Sequence, residues 1–142
     1  MKSIKKIAML SLCLIVVLFM TAGCADDKTK DKNGNKTNEK GQVVNQNSGV
    51  ISSKLEDGFK FENTSLVTEN KTTTYIVYMT NTNNKEVKVS KVKVTMKDKE
   101  KKEVTSIDIN VNRTLKSKET LELSASIEMD LTKVTTIEYE IL

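Results

Sequence analysis

Leu121-Glu122-Leu123-Ser124-Ala125-Ser126-Ile127-Glu128-Met129 is the stretch that decides the fold. Apolar residues take every odd position and polar residues every even one. Successive side chains of a strand point to opposite faces, so a strand separates the two sets. A helix would scatter both around its circumference and would give no reason for nine residues to alternate. The odd set is expected to face a core and the even set water.

The same period of two runs outward from there over residues 58–142. Phe59 and Phe61 alternate ahead of Leu66-Val67. Thr72 to Thr80 carries Tyr75, Val77 and Met79 on one face, with Ile76 and Tyr78 on the other. Val104 to Val111 alternates through Ile107, Ile109 and Val111, and Thr135 to Ile141 groups Ile137, Tyr139 and Ile141. Val, Ile and Thr dominate these runs, as strands prefer. Polar breaks separate them: Asn70-Lys71, the Asn81-Thr82-Asn83-Asn84 cluster, Asp98 to Lys102, and the connection Leu115 to Thr120. Asn suits such turns because it tolerates left-handed backbone and bonds its own main chain. Val87 and Val89 share one parity while Val92, Val94 and Met96 share the other, which predicts a β-bulge, or a strand changing sheets, near Ser90-Lys91.

Six or seven short strands and no helix longer than a turn predict an all-β domain, an antiparallel immunoglobulin-like β-sandwich. Half-polar strands leave each sheet one wet face. With no Trp and two cysteines, Cys13 and Cys24, the Cys-Trp-Cys core of true immunoglobulin domains is absent, so the likeness is one of architecture. Aliphatic residues plus Phe59, Phe61, Tyr75 and Tyr139 must fill the core.

The N-terminal third reads differently. Met1 to Lys6 is short and basic, Ile7 to Met20 is 14 residues without a charge, and Thr21-Ala22-Gly23 is small throughout. This is the layout of a secretory signal over residues 1–23. A helix crossing a hydrocarbon core of ~30 Å needs roughly 20 apolar residues, and the flank that follows is strongly polar, so an uncleaved anchor fits poorly. Thr21-Ala22-Gly23-Cys24 resembles the lipobox of bacterial lipoproteins, usually Leu-Ala-Gly-Cys, with Thr21 in place of the aliphatic residue. The resemblance implies a diacylglyceryl thioether on Cys24 and cleavage between Gly23 and Cys24. A free cysteine beside an ordinary cleavage site is the alternative, and an odd one for a lone thiol in an oxidising compartment. Two acyl chains anchor stably where one binds reversibly. The expected address is therefore the extracytoplasmic face of the cell membrane, lipid-anchored, with the membrane itself as one partner.

Residues 24–57 are charged and amide-rich and hold three of the five glycines, without a sustained apolar period. Such composition predicts a disordered tether, since little apolar surface is offered against the entropy of ordering. Val43-Val44 and Val50-Ile51 are its two apolar pairs, either able to form a short first strand. Thr29, Asp31, Asn33 and Gly34 fall at positions 1, 3, 5 and 6 of an EF-hand-like loop, but the positions that should be Asp and a bidentate Glu are Thr29 and Lys40. Solvated linker is the expectation there.

Within the sandwich, Thr80-Asn81-Thr82-Asn83, Val92-Lys93-Val94-Thr95-Met96-Lys97-Asp98 and Leu115-Lys116-Ser117-Lys118-Glu119-Thr120 resemble the FxLYD-type domain of secreted bacterial lipoproteins. The last run stands where that family has Leu-Lys-Pro-Gly-Glu-Thr, with Ser117-Lys118 replacing Pro-Gly. Met96-Lys97 replaces an aromatic pair, and the glycine expected after Asp98 is missing. The resemblance spans roughly Tyr75 to Ile141, about half the chain, and implies a β-sandwich without known catalysis; it adds no site residues.

Composition narrows the function. The 23 basic residues less Lys2, Lys5 and Lys6 of the signal leave 20 against 19 acidic, which gives no clustered basic face for nucleic acid. With no His there is no Ser-His or Cys-His pair, and neither a zinc nor a copper ligand set. Glu100, Glu103, Glu119 and Glu122 lie among lysines in turns and on polar strand positions, as solvated charges do. No enzyme, metal or cofactor is expected. Carbohydrate sites favour exposed aromatics, and Tyr78 is the one candidate, more readily explained by packing across its sheet. Contact through a sheet edge needs no special residue. The expectation is a non-catalytic protein-interaction module of the cell envelope; the alternative is a small-ligand or cell-wall-polymer binding lipoprotein.

Overall fold

A computed structural model describes residues 31–142. The chain runs through β1 (Asn35–Thr37), β2 (Val43–Asn45), a single-turn helix α1 (Ser48–Ile51), β3 (Lys54–Glu56), β4 (Phe59–Glu69), β5 (Thr72–Asn81), β6 (Val87–Lys97), β7 (Glu103–Leu115), β8 (Thr120–Ile127) and β9 (Thr136–Ile141). Two antiparallel sheets pack as a sandwich. One has the order β1-β2-β4-β5-β8, with β3 also on β4; the other has the order β7-β6-β9.

Local chemistry sets the hairpins. Asn70 and Lys71 both have positive φ (50° and 65°) and join Glu69 to Thr72, a two-residue loop whose twist matches that of the flanking strands. Asp57-Gly58 does the same between β3 and β4, with φ of 48° and 77°. The β6–β7 turn is closed by Asp98, whose Oδ1 accepts from the N–H groups of Glu100 (2.9 Å) and Lys102 (3.0 Å).

The expected bulge at Ser90-Lys91 is present: both N–H groups donate to the Leu142 carbonyl, and the β6–β7 register slips there. It lets Val89 and Val92 both face the core despite opposite parity. A second bulge was not signalled by the alternation. The β4–β5 register shifts between Glu62 and Ser65, with Asn63 at φ 55°, so Phe59 and Phe61 point inward and then Thr64, Leu66 and Thr68 do.

Between the sheets lie Tyr75, Val77 and Met79 of β5, Leu123 of β8, Val92, Val94 and Met96 of β6, and Ile137 and Tyr139 of β9. Phe61 stacks on Tyr139 with ring centroids 3.8 Å apart. The two tyrosine hydroxyls are 3.3 Å apart, and Thr64 reaches that of Tyr139. Burial holds both phenols above their ordinary pKa; at Tyr75 the neighbouring Tyr139 adds to this, and at Tyr139 the hydrogen bonds from Thr64 and Tyr75 oppose it.

The strand over residues 121–129 is oriented as expected, with Leu123 buried and Glu122, Ser124 and Ser126 exposed, but it stops at Ile127. Met129 is 40% exposed. The alternation outlasts the partner: Thr73 pairs with Ile127, and beyond Thr72 the neighbouring strand has already turned. Leu115, expected in a connection, ends β7 instead and is fully buried opposite Val87.

The larger correction concerns the tether. Residues 31–57 belong to the folded body, although they were expected as part of a flexible segment. β2 pairs with the end of β4 (Val43 with Thr68) and β3 with its start (Glu56 with Phe59). Between them α1 inserts Val50, fully buried, and its Gly49 sits so close to β9 that a Cβ there would lie 2.3 Å from the Thr135 carbonyl oxygen. Amides replace the apolar surface this segment lacks. Asn35 Nδ2 donates to the Thr132 carbonyl (2.9 Å) and Asn45 Nδ2 to that of Val134 (2.7 Å), so buried asparagines are held to main chain rather than to a greasy face.

Candidate interaction surface

A two-sheet sandwich has two open sides, and this chain treats them differently. On one side β4 faces β9. There β2, α1 and β3 lie across the gap, Val50 plugs it, and Lys54 Nζ donates to the Ile137 carbonyl. Burial lowers the Lys54 pKa, partly offset by Glu138. On the other side β7 faces β8. Among the described residues β7 pairs as a strand only with β6 and β8 only with β5, so both present an unpaired edge.

The inner rows of those two strands are apolar and only half-buried. Ile107, Ile109 and Val111 of β7 and Leu121, Ala125 and Ile127 of β8 pack against the core without being enclosed by it. Their sheet neighbours are fully covered: Ile109 pairs with Val92 and Ile107 with Val94, both at 0% exposure. The difference follows from position, since an edge strand has a neighbour on one flank only. Polar residues rim the seam. Asp108 pairs with Lys91 of β6 at 2.9 Å, and Asn110 is exposed. Arg113 pairs with Glu119, whose other oxygen accepts from the Lys116 N–H at 2.8 Å and closes the seam at its β7–β8 end.

Proteins usually blunt long edges with Pro, inward charges or bulges. β7 has 13 residues and contains no Pro, and its inward positions carry no charge before Arg113. Asn112, at φ 48°, interrupts the extended backbone near that end. The β6–β7 register also slips between Met96 and Lys97, opposite Val104, and the stretch from Thr105 to Asn110 between the two slips is left as regular strand able to accept another.

The residues singled out in the sequence fall elsewhere. Gly23, Cys24 and Thr29 lie outside the described residues. Tyr78 is half-buried on the outer face of its sheet, in register with Glu62 and Glu122. Glu100 is in the exposed β6–β7 turn, Glu103 begins β7, and Glu122 points outward from β8, so these carboxylates are scattered. Among the described residues no three His, Cys, Asp or Glu stand together as a metal-binding group. The Asp31 carboxylate accepts from the N–H groups of Asn33 and Asn35 and from the Asn35 amide, so it closes a turn rather than facing a cation. The Asn35 side chain is the main cause of its lowered pKa. The seam itself was missed. Alternation marks Ile107, Ile109 and Val111 as a strand but does not say whether that strand has one neighbour or two.

No family model matches the sequence, and no curated protein matches it. Among solved structures the chain is similar to a DUF1425 family member from Shewanella sp. pv-4, at 12% identity and a TM-score of 0.40, covering 77% of this chain and 94% of that one.

Proposed function

We propose that this chain is a lipoprotein anchored through Cys24 on the extracytoplasmic face of the membrane. Its sandwich, of the FxLYD-like type, is a non-catalytic protein-interaction module of the cell envelope. The observation that carries the reading is the asymmetry of the sandwich: the chain closes the β4–β9 side with its own N-terminal segment and leaves the β7–β8 side with two unpaired edges over an apolar seam. Polypeptide is the ligand such a surface suits, because main-chain hydrogen bonds supply affinity and alternate side chains fill the seam.

The anchor gives this module a short leash. Six residues separate Cys24 from Asp31, where the described body begins. Fully extended, that link spans about 25 Å at most, so the sandwich works next to the headgroups.

Two measurements test the reading. Cys24→Ala is expected to leave the membrane fraction or accumulate uncleaved; unchanged fractionation and mobility would remove the anchor. A photo-crosslinking residue at Ile109 is expected to form discrete adducts in intact envelopes, and the same residue at Lys71, in the β4–β5 turn, is not. No adduct at Ile109 would remove the contact surface.

A further inference from the structure

We infer that the partner taken up by the β7 edge is a second copy of this chain, paired antiparallel about a two-fold axis through Ile109. This rests on the reading of the β7–β8 side as a contact surface and adds the identity of its occupant. The argument is one of self-complementarity. Setting Ile109 opposite Ile109 of the second copy places Ile107 opposite Val111 and Val111 opposite Ile107, so the half-buried inner rows meet apolar against apolar. The outer row is matched by the same register. Asp108 falls opposite Asn110, an amide able to donate to its carboxylate, and no like charges stand directly opposite each other. Shifting the axis to Asp108 would set two carboxylates against each other, so the chemistry selects one register of these two.

Other occupants fit less well. The part of the chain between Cys24 and Lys30, Cys-Ala-Asp-Asp-Lys-Thr-Lys, is too polar to cover an isoleucine row. The β8 edge has eight residues against thirteen in β7, and Ala125 breaks its apolar row. Pairing at β7 would extend the three-stranded sheet across the axis into six strands, β9-β6-β7 and its two-fold image. It would end at Asn112, where the backbone leaves the extended region. A C2 contact of this kind closes on itself and does not propagate into fibres.

Cysteine pairs in the full-length chain, assayed in its own membranes, test the register. Directly opposed residues on antiparallel strands have Cβ atoms roughly 5 Å apart, within reach of a disulfide or a short bifunctional thiol reagent. Ile109→Cys should therefore give a species of twice the chain mass on non-reducing electrophoresis. Ile107→Cys alone should not, because its own image lies four residues away along the strand, but mixed with Val111→Cys it should. Ile109→Lys, an inward charge on the edge, should abolish the dimer while circular dichroism stays that of a folded sandwich; the cysteine arms stand even if that variant fails to fold. Adducts of another mass at position 109 would overturn self-pairing and leave the contact surface standing. Equal dimer yield from Ile109→Cys, Ile107→Cys alone and a Glu138→Cys control would mean collision rather than register, and would overturn the proposal. No adduct of any kind at position 109 would overturn both.

Discussion

Asn81 offers the sharpest test of how the two loops at one end of the sandwich are held. Its side chain is fully buried. Nδ2 donates to the carbonyls of Lys85 (2.9 Å), Leu115 (3.0 Å) and Lys116 (3.2 Å), while Oδ1 accepts from the Asn83 backbone (3.0 Å) and amide (2.9 Å). One residue thus ties the β5–β6 turn to the β7–β8 connection. In Asn81→Ala the Lys85 carbonyl, on an exposed residue, is rehydrated, but that of Leu115 is left buried without this donor. A net loss of about 1 kcal/mol for each of two good bonds, plus about 1 kcal/mol for the stranded carbonyl, gives roughly 3 kcal/mol. On a total of roughly 5–15 kcal/mol this is large, and for a domain of this size it corresponds to a fall in Tm on the order of 10 °C. Urea unfolding should show a lower midpoint at unchanged slope. Asn84→Ala, at an exposed residue of the same turn, should stay within about 0.5 kcal/mol. Asn81→Asp keeps the shape but aims a carboxylate at three carbonyls, so at neutral pH it should be at least as damaging as alanine. A loss below about 1 kcal/mol for Asn81→Ala would refute the reasoning and assign the loops to their backbone bonds alone.

Three further outcomes are expected. Leu123→Ala should lose about 2–5 kcal/mol and Glu122→Ala less than about 0.5, measured by thermal melts, because they point to opposite faces of β8; equal effects would mean that face assignment is wrong. Gly49→Ala should destabilise although alanine favours a helix by about 1 kcal/mol, since its Cβ would meet the Thr135 carbonyl; limited proteolysis should then cut within residues 31–53 while the rest of the sandwich resists, and a protected segment would contradict the close approach. Tyr75 and Tyr139 keep their protons in the fold at pH values where the unfolded chain, with phenols near pKa ~10, loses them. Their contribution is therefore complete below about pH 10 and declines as pH rises above it. Alkaline absorbance titration should show these two phenols ionising together with loss of near-ultraviolet dichroism, and reversible ionisation of all three tyrosines in the folded protein would refute it.

What could be read from the sequence was what alternation encodes. The faces of β5, β6, β8 and β9 follow from parity alone, and the Ser90-Lys91 bulge was legible because a parity break is visible in Val89 and Val92. The Asn63 bulge was not, because the residues it turns inward are Thr64 and Thr68, whose polarity hides them in a hydropathy pattern. The seam was half legible: its residues were named, but the neighbour count that makes them a surface belongs to the sheet order.

The N-terminal boundary was misplaced for a reason that extends beyond this chain. Hydropathy reads residues 31–57 as a segment with too little to bury, and on apolar area that is right, since Val50 is its one fully buried hydrophobic residue. The segment folds through another account. Asp31, Asn38 and Asp98 each accept from the N–H groups two and four residues on, so the same side-chain-closed turn that ends a hairpin in the sandwich recurs twice in the supposed tether. Asn35 and Asn45 then spend their amides on the carbonyls of Thr132 and Val134. Asp57-Gly58, flanked by Leu55 and Phe59, is among the strongest short hairpin signals a sequence carries, and the expected boundary at Gly58 cut through the middle of it. Asn and Asp spaced to close their own turns, ahead of such a dipeptide, are evidence of order even where valines are scarce. Because that order places β2, α1 and β3 over the β4–β9 side, it is also what makes the β7–β8 side the one left uncovered.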